Sequence, residues 1–201
     1  ILSRFASNEP KFAGVFSRAF RAISVFALPA LVFLAVASVP IIALIAGRGY
    51  EDASAVLTIL SIAIAIIFFG NLGGNSIVAL NLQKKALPIY ALGAVFNIIA
   101  NLVLIPKYSY IAAAWNTVLT ELIVTIAMFI LIKKATSHHG VIKAMLKPAL
   151  SALLMGLLIY PFRSNLILTS LLALSYFPIL FFMKGYSMAE LINLGDIDGH
   201  L

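Results

Sequence analysis

The chain has 201 residues, of which 63% are hydrophobic and 10% charged, against roughly 45–50% and about 25% in ordinary soluble domains. At a mean hydropathy of +1.09 there are too few polar side chains to cover a water-facing surface, so a soluble globule is excluded and lipid is the solvent for most of the chain. Lys and Arg number 14 against 7 Asp and Glu, a net charge of +7, and cysteine is absent; this excludes disulfides and thiol or Cys-ligated metal chemistry, while the basic excess belongs to membrane topology rather than to a nucleic-acid partner.

The chain opens on Ile1 with no secretory signal pattern and is expected to be a fragment of a longer protein. Over residues 1–21 and just beyond, Phe12, Val15, Phe16, Ala19, Phe20 and Ile23 share one side of a helical wheel and Lys11, Arg18 and Arg21 the other, with Asn8 and Pro10 as the helix start. This pattern predicts an amphipathic helix lying on the cytoplasmic leaflet, separate from the spans.

Charged residues then delimit the spans, because a helix crossing the hydrocarbon needs about 20 apolar residues. The uncharged stretches 22–47, 53–83 and 86–106 give three spans, and 108–132, broken only by Glu121, gives a fourth. A basic loop over 133–147 follows. The stretch 148–162, extended back to Ala144 by a snorkelling Lys147, and the stretch 164–183 then form a peripheral hairpin over 148–183, with a short tail at 184–201. The expected fold is therefore all-α, with six transmembrane helices and a four-helix unit over 22–132.

Six spans place eleven Lys and Arg on one side of the membrane and three, Arg48, Lys107 and Arg163, on the other. The positive-inside rule puts the richer side, and both ends of the chain, in the cytoplasm. With no native thiol to interfere, single cysteines test this: an impermeant reagent applied outside intact cells is expected to label Ser54→Cys and spare Lys134→Cys. Labelling of the second would overturn the orientation.

Polar residues inside the spans mark where function is to be sought, because a carboxylate at mid-depth costs on the order of 2.5–3.5 kcal/mol even on a lenient scale. Glu121 is the one such acid, with Thr117 and Thr125 one turn away on either side. It is read either as a coupling-ion or substrate-cation site or as a hydrogen-bonded acid that glues helices. Asn71 with Asn75, and Asn97 with Asn101, are i, i+4 pairs, each facing one direction. With Asn116 and Thr120 they are expected to look toward the bundle interior or a wet cavity, either bonding helices together or touching substrate. The run Gly70-Asn71-Leu72-Gly73-Gly74-Asn75 contains a GxxxG pair, Gly70 and Gly74, and together with Pro29 and Pro40 is a candidate for helix interruption and gating or for close packing.

No enzyme pattern accompanies these groups. His138, His139 and His200 lie in a loop and the tail, away from the intramembrane acid, and no phosphate-binding glycine loop is present, so neither a metal site, a cofactor nor a catalytic residue is expected.

The order of features resembles a known group. Ser3-Arg4, Pro29 and Ile45-Ala46-Gly47-Arg48-Gly49-Tyr50 with Ala53, and then Asn97-x-x-x-Asn101 leading to Ile105-Pro106-Lys107-Tyr108, Ala112-Ala113-Ala114 and Thr120-Glu121, resemble the later part of polysaccharide-export flippases. These belong to the multidrug, oligosaccharidyl-lipid and polysaccharide exporter superfamily. Ser109 and Ala112 stand where that family usually has glycine. The resemblance implies the C-terminal part of a twelve- to fourteen-helix, two-bundle transporter of a bacterial inner membrane. It would move undecaprenyl-diphosphate-linked oligosaccharide outward by alternating access for O-antigen or exopolysaccharide synthesis, with membrane lipids around it, H+ or Na+ as coupling ion, and a polymerase and ligase acting afterwards. A cation-coupled multidrug exporter of the same superfamily is the alternative, and Glu121 would suit its cationic substrates.

Overall fold

In the computed structural model the structure describes Leu2 and residues 9–47, 49–136 and 142–183. Helix α1 is Glu9–Val36, α2 Ser38–Ala46, α3 Ala53–Ala79, α4 Gln83–Thr136, α5 Ile142–Ile159, α6 Leu166–Ala173 and α7 Tyr176–Phe182, with a 3-10 turn at Tyr160–Phe162. No strand occurs among the described residues. The protein is an all-α, multi-pass membrane protein, as its composition requires.

The 54 residues of α4 are two helices rather than one. Ser109 takes φ 55° and ψ −148°, a conformation that reverses the chain and leaves a first arm, 83–108, antiparallel to a second, 110–136. The pairing is read from side chains across the seam: Tyr90 Oη donates to Met128 Sδ at 2.9 Å and Asn97 Nδ2 to Thr120 Oγ1 at 3.1 Å. Each arm, at 1.5 Å per residue, reaches about 40 Å and can cross the hydrocarbon. The helical runs Pro10–Val36, Ala53–Ala79, Gln83–Thr136 and Ala144–Phe162 are long and apolar enough to span, so the reversal raises four runs to five crossings. The sixth segment, Leu166–Phe182, is shorter and divided between α6 and α7.

A positive φ outside glycine strains the backbone by on the order of 1–3 kcal/mol. Ser109→Gly is therefore expected to raise the stability of the detergent-purified protein by about 1 kcal/mol, after the larger entropy of an unfolded glycine is deducted. A lower melting temperature for this variant would mean that the serine carries no strain.

In the first span the break lies at Ala37, between α1 and α2. Pro40 causes it: a proline collides with the carbonyl four residues earlier, Val36, and cannot bond to it. Thr58 of α3 braces this joint, its hydroxyl lying 3.0 Å from Ser38 Oγ and 2.9 Å from the Ser54 carbonyl. Pro29, by contrast, lies inside an unbroken α1, and α3 runs without interruption through Gly70–Asn75. Of the two readings open for these residues, interruption and close packing, interruption does not occur. The neighbouring helix turns supply enough bonds to carry the chain past them, and the glycines are used for close packing.

The amphipathic stretch expected to lie apart as a surface helix is, from Glu9 on, continuous with the first span, and Phe12, Phe16 and Phe20 are buried against protein. The Phe20 ring lies 4.8 Å from that of Phe69, tilted by 38°, and Phe16 meets Phe129 edge-on at 5.9 Å, geometries that add to the area buried. The basic side, with Lys11 and Arg18, stays exposed. The start expected at Asn8, together with Ser3, Arg4, Arg48, His138, His139, His200 and the tail 184–201, lies outside the described residues. Lys133 and Lys134 belong to the last turn of α4 and Lys147 to α5, so only 137–141 separate these helices instead of the loop expected over 133–147.

Packing follows from small residues. α3 lies against α4, and α1 against both α3 and α5, while α5 carries α6 and α7. A Cβ on Gly156 would sit 2.6 Å from Val32 Cγ1, so glycine sets the approach of α5 to α1. The apolar core divides in two: the phenylalanine cluster with Met128 and Ile132, and a second group around Val25, Met155, Ile159 and Tyr176.

Candidate functional site

The residues that chemistry singles out converge where α3 meets the two arms of α4. Along the first arm, Tyr90, Gly93, Asn97 and Asn101 follow spacings of three and four and so occupy one face. That face meets the second arm. A Cβ on Gly93 would lie 2.5 Å from Val124 Cγ2, and one on Gly70 of α3 2.9 Å from Thr125 Oγ1, so both glycines are where three helices approach most closely.

Beside this contact lies a cleft of about 380 Å³. Asn71 and Asn75 of α3 line it with Gly70 and Gly74, Tyr90 and Gly93 line it from the first arm, and Thr120 and Glu121 from the second. Asn71 and Asn75 are exposed to it, and Glu121 is half-buried. Among the described residues no hydrogen bond or ion pair engages the Glu121 carboxylate. Asn71, Asn75 and Glu121, which the sequence did not link, line the same cleft.

The second asparagine pair forms a network between the arms. Asn97 donates to Thr120 Oγ1, Asn101 Nδ2 donates to Asn97 Oδ1 at 3.0 Å, and Asn116 Nδ2 donates to the Asn97 carbonyl at 2.9 Å. Asn116 is 2% exposed, and its Oδ1, like that of Asn101, has no hydrogen-bond partner. A buried acceptor left this way costs on the order of 1–3 kcal/mol, so these two oxygens are available to a donor or a cation. Thr120 belongs to both features and links the network to the cleft.

Thr117 and Thr125 do not join Glu121. Thr117 bonds back to the Ala113 carbonyl at 2.9 Å, and the Thr125 hydroxyl is turned toward Gly70 without a partner. They share the helix face of Glu121, but the side of that face that opens into the cleft carries Thr120. Pro29 of α1 is no part of the cleft. Two contributors, Tyr90 and Gly93, were not foreseen; their spacing to Asn97 was the signal that would have found them.

Chemically the site offers amides, hydroxyls and one carboxylate around a floor of glycine, with no Lys or Arg in its lining. It suits hydrogen bonding to a polar, uncharged or cationic group. No nucleophile with an adjacent base is among these residues.

No protein-family model matches the chain, and no curated protein sequence matches it. Among solved structures the fold matches the lipid II flippase MurJ in an inward closed conformation, with a TM-score of 0.76 and 20% sequence identity, over 89% of this chain and 40% of that one. The chain therefore has the fold of part of a flippase-type transporter and spans less than half the length of that structure.

Proposed function

We propose that the chain forms six spans of a flippase that carries an undecaprenyl-diphosphate-linked oligosaccharide from the inner to the outer leaflet of a bacterial inner membrane. Alternating access moves the cargo, and surface polysaccharide, O-antigen or exopolysaccharide, is the product it serves, with polymerase and ligase acting on what it delivers. The observation that supports this most is the fold shared with a lipid II flippase over 89% of the chain. A polar cleft at the depth of Glu121 agrees with it, since amides and a carboxylate do not face lipid without a use.

Within this reading Glu121, Asn97, Asn101, Asn116 and Thr117 are the residues for H+ or Na+ coupling or for substrate contact. The unpartnered Oδ1 atoms of Asn101 and Asn116 are the acceptors best placed for an ion. Gly70, Gly74 and Gly93 let α3 and the arms of α4 slide at close range, which is how unbroken helices would contribute to gating.

The test is translocation by the full-length protein in liposomes. A fluorescent undecaprenyl-diphosphate oligosaccharide placed in the lumenal leaflet is expected to reach the outer one, where dithionite bleaches it, faster than in protein-free liposomes. A rate equal to that of empty liposomes, with ion-driven movement of a lipophilic cation instead, would establish the multidrug-exporter alternative.

A further inference from the structure

The cleft between α3 and α4 differs from what a diphosphate requires. An anion with several oxygens calls for Arg, Lys or a helix N-terminus, whereas the lining holds no cation and its one charge is the Glu121 carboxylate. Like charges brought together in a poorly screened site repel strongly. A bulky organic cation would find the Glu121 carboxylate but only one aromatic face, Tyr90, among amides and hydroxyls, so most of the lining would not be used by it.

What the lining does match is a neutral group dense in hydroxyls. A carboxylate accepts from two hydroxyls at once, each amide both donates and accepts, and the Thr120 and Tyr90 hydroxyls do either. Gly70 and Gly74 line the α3 side of the cleft, and the Tyr90 hydroxyl lies close over Gly74, so the polar groups stand close together. At about 380 Å³ the cleft is within the range of roughly 300–1,000 Å³ that holds small ligands.

Building on the flippase reading of the previous subsection, we infer that this cleft is a subsite for a sugar unit of the cargo and not for its phosphates. Glu121, Asn71 and Asn75 recognise hydroxyl or acetamido groups of one saccharide, while the diphosphate lies against other helices. The cleft then reads the identity of the sugar and contributes to specificity rather than to anchoring.

The discriminating measurement is the ratio of two affinities in the full-length, detergent-purified protein, for an undecaprenyl-diphosphate oligosaccharide and for undecaprenyl diphosphate without sugar. The wild type is expected to prefer the glycosylated lipid by about tenfold or more, the scale of one or two charge-assisted hydrogen bonds. Glu121→Gln and the double variant Asn71→Ala/Asn75→Ala are expected to shrink the ratio to about threefold or less, with binding of the bare lipid reporting that the protein is folded. A ratio unchanged in both variants overturns the inference, as does a wild-type ratio near one in a protein that still translocates the glycolipid. Wild-type protein that binds neither lipid overturns the flippase reading itself and the inference with it.

Discussion

Glu121→Gln in the full-length protein is expected to slow translocation of lipid-linked oligosaccharide by about tenfold or more while leaving the amount of protein in the membrane unchanged. The substitution keeps the shape of the side chain and removes its charge. A hydrogen bond to a charged group contributes about 1.5–3 kcal/mol, and each 1.4 kcal/mol is a factor of ten, so loss of one or two such bonds to a cargo hydroxyl or a coupling cation falls in that range. Structure enters because the carboxylate is half-buried, lines the cleft and is engaged by no hydrogen bond or ion pair among the described residues. A role as helix glue would need a partner, and its loss would reduce protein level before rate. Dithionite-bleaching rates and immunoblots on the same membranes separate the two, and a wild-type rate would leave Glu121 without a transport role.

The other large effect is expected at Gly93. A Cβ there would stand 2.5 Å from Val124 Cγ2, and valine, branched at Cβ, has little rotamer freedom with which to withdraw. Gly93→Ala must push the two arms of α4 apart, an overpacking that costs typically 1–3 kcal/mol. Gly93→Leu adds further carbons at the same point and is expected to prevent accumulation of folded protein. The Asn97–Thr120 bond, 3.1 Å long and one turn along the seam, lies directly in the path of that separation. Two measurements check the mechanism: the melting temperature of detergent-purified Gly93→Ala is expected to fall by several degrees, and adding Val124→Ala is expected to restore most of it. Failure of the second substitution to rescue the first would place the cost of Gly93→Ala elsewhere.

Much of the fold is legible in the chain because charge is rare in it. The ends of α3 and of both arms of α4 fall near Asp52, Lys84, Lys107 and Lys133, where crossing the hydrocarbon becomes too costly to continue. The first helix is the exception. Its stripe of Phe12, Phe16 and Phe20 suits either a lipid interface or a protein groove, since both reward the same apolar face, and the groove formed with Phe69 and Phe129 took it. Prolines were equally ambiguous: Pro40 breaks its helix at Ala37, whereas Pro29 is tolerated inside α1.

For the site, residue types were readable and partners were not. Glu121, Asn71, Asn75, Asn97, Asn101 and Asn116 are conspicuous in apolar sequence, yet nothing in their spacing tells that the first three line one cleft while the other three join a separate network through Thr120. Thr117 has the same helical register to Glu121 as Thr125, and both are spent elsewhere, on the Ala113 carbonyl and against Gly70.

The sequence by itself determined the solvent and the helical class, because the bilayer imposes those through one dominant energy, the cost of removing polar atoms from water. Which face meets which was decided only in three dimensions. Lipid tails and buried neighbours are equally apolar, so hydropathy cannot distinguish a lipid-facing side chain from a packed one. The contact is chosen instead by small residues such as Gly70, Gly93 and Gly156 and by directional bonds such as Asn116 to Asn97.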